Sequence, residues 1–157
     1  MSNRHTRRSF LNKGMALAGA SMAAASWRGP NVLAAAAPGS KLGVAVVGAG
    51  GMGGYSLGCA LGERLVAQVD VDENIIAGAM TEVNKRQDKA PEPKVFYDYR
   101  KMLDECHKDL DAVLIATPDH NHAPAAIRAI NLGKATFAQK PLAHNVRECG
   151  VFWKKCG

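Results

Sequence analysis

Val44-Ala45-Val46-Val47-Gly48-Ala49-Gly50-Gly51-Met52-Gly53-Gly54 is the stretch on which the reading of this chain turns. Its valine-rich start has the length and apolarity of a buried strand. It runs directly into Gly48-x-Gly50-x-x-Gly53, the glycine spacing of a dinucleotide-binding turn. Gly48 permits a tight turn, Gly50 lets the backbone approach a pyrophosphate with no Cβ between, and Gly53 lets the next helix pack close to the sheet. Gly51 and Met52 lie in the same turn and join the same binding set. The helix that follows points its unpaired N–H groups and positive dipole end at the phosphates.

The rest of the chain supplies context for the turn. Hydrophobic periodicity predicts a strand at 42–47, a helix at 52–61 and a second strand at 64–69 that stops at Asp70, twenty residues after Gly50. That is where a dinucleotide fold needs a carboxylate to accept hydrogen bonds from the adenosine ribose. The competing reading is an ordinary turn acid, with Asp72 as a helix N-cap ahead of Glu73. A carboxylate here also selects the cofactor. A 2′-phosphate within about 4 Å would be repelled by roughly 4 kcal/mol per charge pair at an effective dielectric near 20. NAD is therefore favoured over NADP unless a base such as Lys85 or Arg86 compensates.

Further along, the pattern predicts a helix at 73–86, a loop at Pro91 and Pro93, a short strand at 95–97 and a helix at 99–106 capped by Asp98. A buried strand at 111–116 runs into Thr117-Pro118-Asp119-His120-Asn121-His122, and a helix to about 132 is ended by Gly133. A fifth strand at 134–138 leads into Gln139-Lys140-Pro141, and a last helix covers 145–155. Alternating strands and helices imply an α/β fold, a doubly wound parallel sheet of Rossmann type in the order 3-2-1-4-5. No sixth strand follows, so the sheet is expected to be incomplete at its C-terminal edge. In such sheets ligands sit at the carboxyl ends of the strands, and the glycine turn, Asp70, the 117–122 loop and Lys140 all fall there.

The formal charge of +6 over 157 residues suggests a polyanion partner, but its location argues otherwise. Arg4, Arg7, Arg8, Lys13 and Arg28 lie in the first 36 residues, which contain no acid; without them 15 basic residues face 14 acidic ones. No basic face remains, and nucleic acid is set aside. Thr6-Arg7-Arg8-Ser9-Phe10-Leu11 resembles a twin-arginine export signal, followed by an Ala/Gly/Met-rich stretch too short and too weakly apolar to span a bilayer. Small residues at 34–37 place cleavage after Ala36. The expected organisation is a signal peptide at 1–36, a linker at 37–41 and a nucleotide-binding domain at 42–157, exported to the periplasm or cell envelope. Cys59, Cys106, Cys149 and Cys156 show no metal-like spacing; free thiols are favoured, with a Cys149–Cys156 disulfide as the alternative. Asp119, His120 and His122 lack a separated third ligand, so no metal is assigned. With no activated Ser or Cys nucleophile for them to serve, a hydrolase reading of His120 and Asp119 is discarded.

Taken together, Gly48-Ala-Gly-Gly-Met-Gly53, Val69-Asp70-Val71-Asp72, Phe96-Tyr-Asp-Tyr-Arg-Lys-Met-Leu103, Ala116-Thr-Pro-Asp-His-Asn-His122, Gly133-Lys134 and Gln139-Lys-Pro141 resemble the Gfo/Idh/MocA oxidoreductases. The resemblance implies an NAD(P)-binding Rossmann domain followed by an α/β domain that covers nicotinamide and substrate. It places Thr117 and Pro118 at the cofactor, His122 at the start of the helix behind them, and Lys140 as the lysine of the family's Glu-Lys-Pro motif. That lysine orients or polarises a substrate hydroxyl, and a neighbouring charge or burial would lower its pKa and assist proton transfer. Gln139 replaces the motif's Glu, leaving an amide where a carboxylate is usual. Family members run to more than twice this length, and their remaining acid-base residues come from the second domain.

The implied function is the cofactor half of an NAD-dependent oxidoreductase acting on a sugar, polyol or related alcohol by hydride transfer. The alternatives are an NAD-dependent glycosidase of the same family and a non-catalytic nucleotide-binding remnant. Expected partners are a carbohydrate-like substrate once a second domain is supplied, the twin-arginine export machinery and a homo-oligomer.

Overall fold

The computed structural model describes residues 40–86 and 91–156. The twin-arginine segment, the expected cleavage near Ala37 and most of the linker lie outside the described residues.

Strand β1 (Gly43–Val47) is buried along its whole length, as a central strand covered on both faces must be. After it come α1 (Gly53–Ala60), β2 (Arg64–Val69), α2 (Glu73–Arg86), β3 (Lys94–Phe96), α3 (Tyr99–Cys106), β4 (Ala112–Ile115), α4 (His122–Asn131), β5 (Ala135–Ala138) and α5 (Val146–Cys156). Short 3₁₀ turns at His107–Asp109 and Asp119–Asn121 precede β4 and α4. The sheet order is β3-β2-β1-β4-β5 with every neighbouring pair parallel, the order that the alternation predicts. Strand and helix ends differ from the sequence expectation by a residue or so.

Each face of the sheet has its own core. Ala45, Val47, Val113 and Ile115 pack with Met102 and Leu103 of α3, Ala126 of α4 and Phe152 of α5. Val44, Val46 and Leu65 pack with Leu57 and Ala60 of α1 and Ala79 and Val83 of α2 on the other side. A bulge between β1 and β2 pairs Val44 with Leu65 but Ala45 with Ala67, leaving Val66 without a β1 partner. One extra residue reverses the side-chain alternation beyond it. It aligns Gln68 with Val46, fully buried and with neither amide atom hydrogen-bonded.

Local signals behave as their chemistry requires. Asp98 caps α3 by accepting the Arg100 N–H at 2.9 Å, and Asp72 caps α2 by accepting the Asn74 N–H at 2.8 Å. Gly133, at φ +72°, ends α4 in a Schellman motif: its N–H donates to the Ile130 carbonyl at 2.9 Å and that of Lys134 to the Ala129 carbonyl at 3.0 Å. Strand β5, like β3 at the opposite edge, is an outer strand, and Phe137 on it is 52% exposed.

Candidate functional site

At the carboxyl ends of the strands lies a cavity of about 670 Å³, within the size range of small-molecule and cofactor sites. Residues at or just after all five strand ends line it: Val47 and Gly48, Val69 and Asp70, Tyr97, Ala116 and Thr117, and Gln139 and Lys140. The crevice sits where the order reverses about β1 and β4, the place a doubly wound sheet provides for a ligand.

The glycine turn forms one wall. Gly48 has φ +85°, and a Cβ on it would lie 2.7 Å from the Ala116 carbonyl oxygen, so the crossing of two backbones excludes any side chain. Gly53 lies under the turn and does not line the cavity; a Cβ there would overlap the Gly48 carbonyl. Gly50 is different. A Cβ on it would meet only the Ile75 side chain, at 3.5 Å, an ordinary contact, so the chain itself does not require glycine there. The space beside Gly50 belongs to the cavity that it lines.

The hydrogen-bond pattern of the turn matches that geometry. The Gly48 N–H donates to the Val69 carbonyl at 2.8 Å, the Ala49 N–H to Asp70 Oδ2 at 2.9 Å and the Gly53 N–H to the Gly50 carbonyl at 2.8 Å. Among the described residues the N–H groups of Gly50, Gly51 and Met52 have no partner. Met52, the N-cap of α1, supplies no side-chain cap, and the first turn of that helix carries no acid. Three successive free donors at a helix N-terminus form a nest for an anion, and the helix dipole adds to it. A pyrophosphate fits this cradle.

Asp70 lines the cavity at the end of β2, where the spacing puts it, and its carboxylate also holds backbone. Oδ1 accepts the Asp72 N–H at 3.1 Å while Oδ2 takes that of Ala49. The bases that would have favoured a 2′-phosphate are engaged elsewhere. Glu82 pairs with Lys85 at 3.6 Å and with Arg86 at 2.8 Å. Arg100, beside a smaller adjoining hollow, is held by Asp98 at 2.8 Å; this pairing raises the guanidinium pKa and lowers that of Asp98.

Across the cavity, Thr117, Pro118, His122, Gln139 and Lys140 come together as the other wall. His122 is buried at the start of α4, and its Nδ1 lies 2.7 Å from the Pro141 carbonyl oxygen. A carbonyl can only accept, so Nδ1 carries the proton, and Nε2 and the Thr117 hydroxyl are left buried without partners. The bond ties the 117–122 loop to the 139–141 loop. Lys140 is exposed, so the burial invoked for it from the family motif is absent. Val71, Ile75, Tyr97, Tyr99 and Asn121 also line the cavity without having been given a site role from sequence, as do Asp119 and His120, for which sequence offered only the metal and hydrolase readings set aside above. Tyr97, the first residue beyond β3, was reachable by the same strand-end rule that selected Asp70. Cys149 carries a free thiol, against the alternative of a disulfide with Cys156, whose side chain is not described.

Comparison with known proteins agrees with this architecture. The family described as GFO_IDH_MocA, an oxidoreductase family with an NAD-binding Rossmann fold, matches residues 42–156. A protein of Shewanella oneidensis named alpha-N-acetylgalactosaminidase is 36% identical over 92 residues, covering 56% of this chain and 19% of that protein. The crystal structure of myo-inositol 2-dehydrogenase from Lactobacillus plantarum superposes with a TM-score of 0.64 at 26% identity, over 74% of this chain and 33% of the other. GenD2 from gentamicin A biosynthesis, solved in complex with NAD, gives a TM-score of 0.60 at 27% identity, over 74% of this chain and 32% of the other. The chain thus spans about a third of the solved chains it resembles and about a fifth of the curated relative.

Proposed function

We propose, from the premise that this chain belongs to the Gfo/Idh/MocA oxidoreductase family through its NAD-binding Rossmann fold, that it is the cofactor-binding part of an enzyme acting on a sugar, polyol or related alcohol. One observation carries the reading: the free N–H groups of Gly50, Gly51 and Met52 meet at the N-terminus of α1, beside a cavity that Gly50 keeps open. In the proposed roles these donors bind the pyrophosphate and Asp70 accepts from the adenosine ribose. Thr117, Pro118, His122 and Gln139 shape the wall around the nicotinamide, and Lys140 holds a substrate hydroxyl. The chemistry NAD supplies when bound is hydride transfer; the chain supplies binding and orientation. NAD is preferred to NADP because Asp70 faces the cavity while Lys85 and Arg86 are engaged by Glu82. NADH formation on a panel of polyols tests the activity, and an absence of turnover with NAD bound confines this chain to binding.

A second reading is an NAD-dependent glycosidase, favoured by the 36% identity to a protein named alpha-N-acetylgalactosaminidase. Hydrolysis of aryl glycosides without net NADH formation distinguishes it from the first. The proposed location is the periplasm or cell envelope, reached by the twin-arginine route, on the strength of Arg7 and Arg8 ahead of Phe10-Leu11. Replacing both arginines by lysine should abolish export, and continued export would contradict the route. The export machinery and a second copy of the chain remain proposed partners.

A further inference from the structure

We propose that Asp70 is a positioning residue as well as a ribose ligand: its carboxylate holds the glycine turn in its phosphate-receiving shape before a nucleotide arrives. This rests on the dinucleotide reading of the cavity.

The two oxygens of Asp70 are already committed, Oδ2 to the Ala49 N–H at 2.9 Å and Oδ1 to the Asp72 N–H at 3.1 Å. The first of these bonds crosses from β2 to the middle of the turn. Ala49 lies between Gly48, at φ +85°, and Gly50, with Gly51 at φ +52° beyond, so the segment is rich in residues that cost entropy to hold still. By taking the Ala49 N–H, Asp70 fixes the peptide between Gly48 and Ala49. The free donors that remain are those of Gly50, Gly51 and Met52, the run that faces the anion. A ligand that finds its donors already aligned loses less of its binding free energy to ordering.

The same bonds explain how a carboxylate sits near a site for a doubly charged group. An ionised carboxylate offers about four lone-pair sites, of which two are used by backbone N–H groups; two remain for ribose hydroxyls. A ribose ligand alone would not need the turn, and a turn brace alone would not need to line the cavity. Asp70 does both.

ADP and 2′,3′-dideoxy-ADP separate the two roles, because the second lacks the hydroxyls that Asp70 would hold. The full chain and its Asp70→Ala and Asp70→Asn variants are titrated with both nucleotides, and amide hydrogen exchange is followed at Ala49. Asp70→Ala should weaken dideoxy-ADP by about tenfold, the loss of one charge-assisted bond's worth of preorganisation. Asp70→Asn, which keeps one acceptor oxygen, should recover most of it. Exchange at Ala49 should rise about tenfold in Asp70→Ala while Val46 and Val47 hold their protection. Asp70→Ser, too short to reach Ala49, makes the same comparison where Asp70→Ala is unstable. Equal dideoxy-ADP binding by Asp70→Ala and the unaltered chain, or unchanged Ala49 exchange, overturns the proposal. Failure of the unaltered chain to bind ADP overturns the nucleotide reading instead, and Ala49 exchange still decides whether Asp70 braces the turn.

Discussion

Replacing Gly50 by alanine separates what the fold needs from what the ligand needs. Gly50 is not in the left-handed region, and a Cβ built on it meets only the Ile75 side chain, at 3.5–3.8 Å. The folded chain accepts the methyl group, and the unfolded chain loses freedom, so Gly50→Ala should stabilise by about 0.4–1 kcal/mol. For a domain of this size that raises Tm by roughly 2–5 °C. Binding should move the opposite way. The added methyl stands beside the free N–H groups of Gly50 and Gly51, where a phosphate must approach to within hydrogen-bond distance. Losing one or two charge-assisted bonds at about 1.5–3 kcal/mol each weakens NAD by roughly 10-fold to more than 100-fold. Melting curves and calorimetric titration of the same preparation read both quantities. Gly53→Ala provides the contrast: its Cβ overlaps the Gly48 carbonyl, so stability itself should fall. Unchanged NAD affinity in Gly50→Ala, or a clear drop in its Tm, would refute the assignment of Gly50 to the ligand.

Three other outcomes follow from the packing and charge of the domain. Gln68→Met should raise Tm, since it removes two buried amide atoms that have no partner, each worth about 1–3 kcal/mol when unmet; a lowered Tm would show that those atoms are satisfied. A thiol reagent should modify the exposed Cys59 and Cys149 in the native protein but reach the buried Cys106, whose pKa burial raises, only on unfolding; Cys106 labelling at the rate of Cys59 contradicts this burial. Asp98→Ala should cost about 1 kcal/mol at neutral pH through loss of the α3 cap. Because the side-chain bond from Arg100 lowers the Asp98 pKa below 3.8, that difference should be complete above pH 3.8 and shrink as pH falls through the lowered value. A gap that stayed constant into strong acid would assign the effect to something other than the ionised cap.

Much of this fold is legible because its signals are local. The valine run into Gly48, the stop at Asp70, the Asp98 cap and Gly133 after α4 each act within a few residues, and each element stands where those signals put it. The strand-end rule then gathers Asp70, Thr117 and Lys140 around one cavity without any knowledge of side-chain contacts. What sequence conceals is partnership over distance. The bond from Ala49 to Asp70 spans 21 positions and that between His122 and Pro141 spans 19; neither has a local signature. The pairing of Lys85 and Arg86 with Glu82 is a different case: at three and four residues along α2 it is local, and helical spacing alone makes it readable. Gln68 is hidden for another reason. A bulge at Val66 changes the face on which it falls, and alternation alone gives no sign of it.

Calorimetric titration of the full chain with NAD, paired with melting curves, decides whether the glycine turn and Asp70 hold a dinucleotide. Saturable one-to-one binding, stronger for NAD than for NADP, is the expected result, with about 2.7 kcal/mol of added stability when NAD reaches 100 times its Kd. No binding heat and no rise in Tm at millimolar NAD would contradict it.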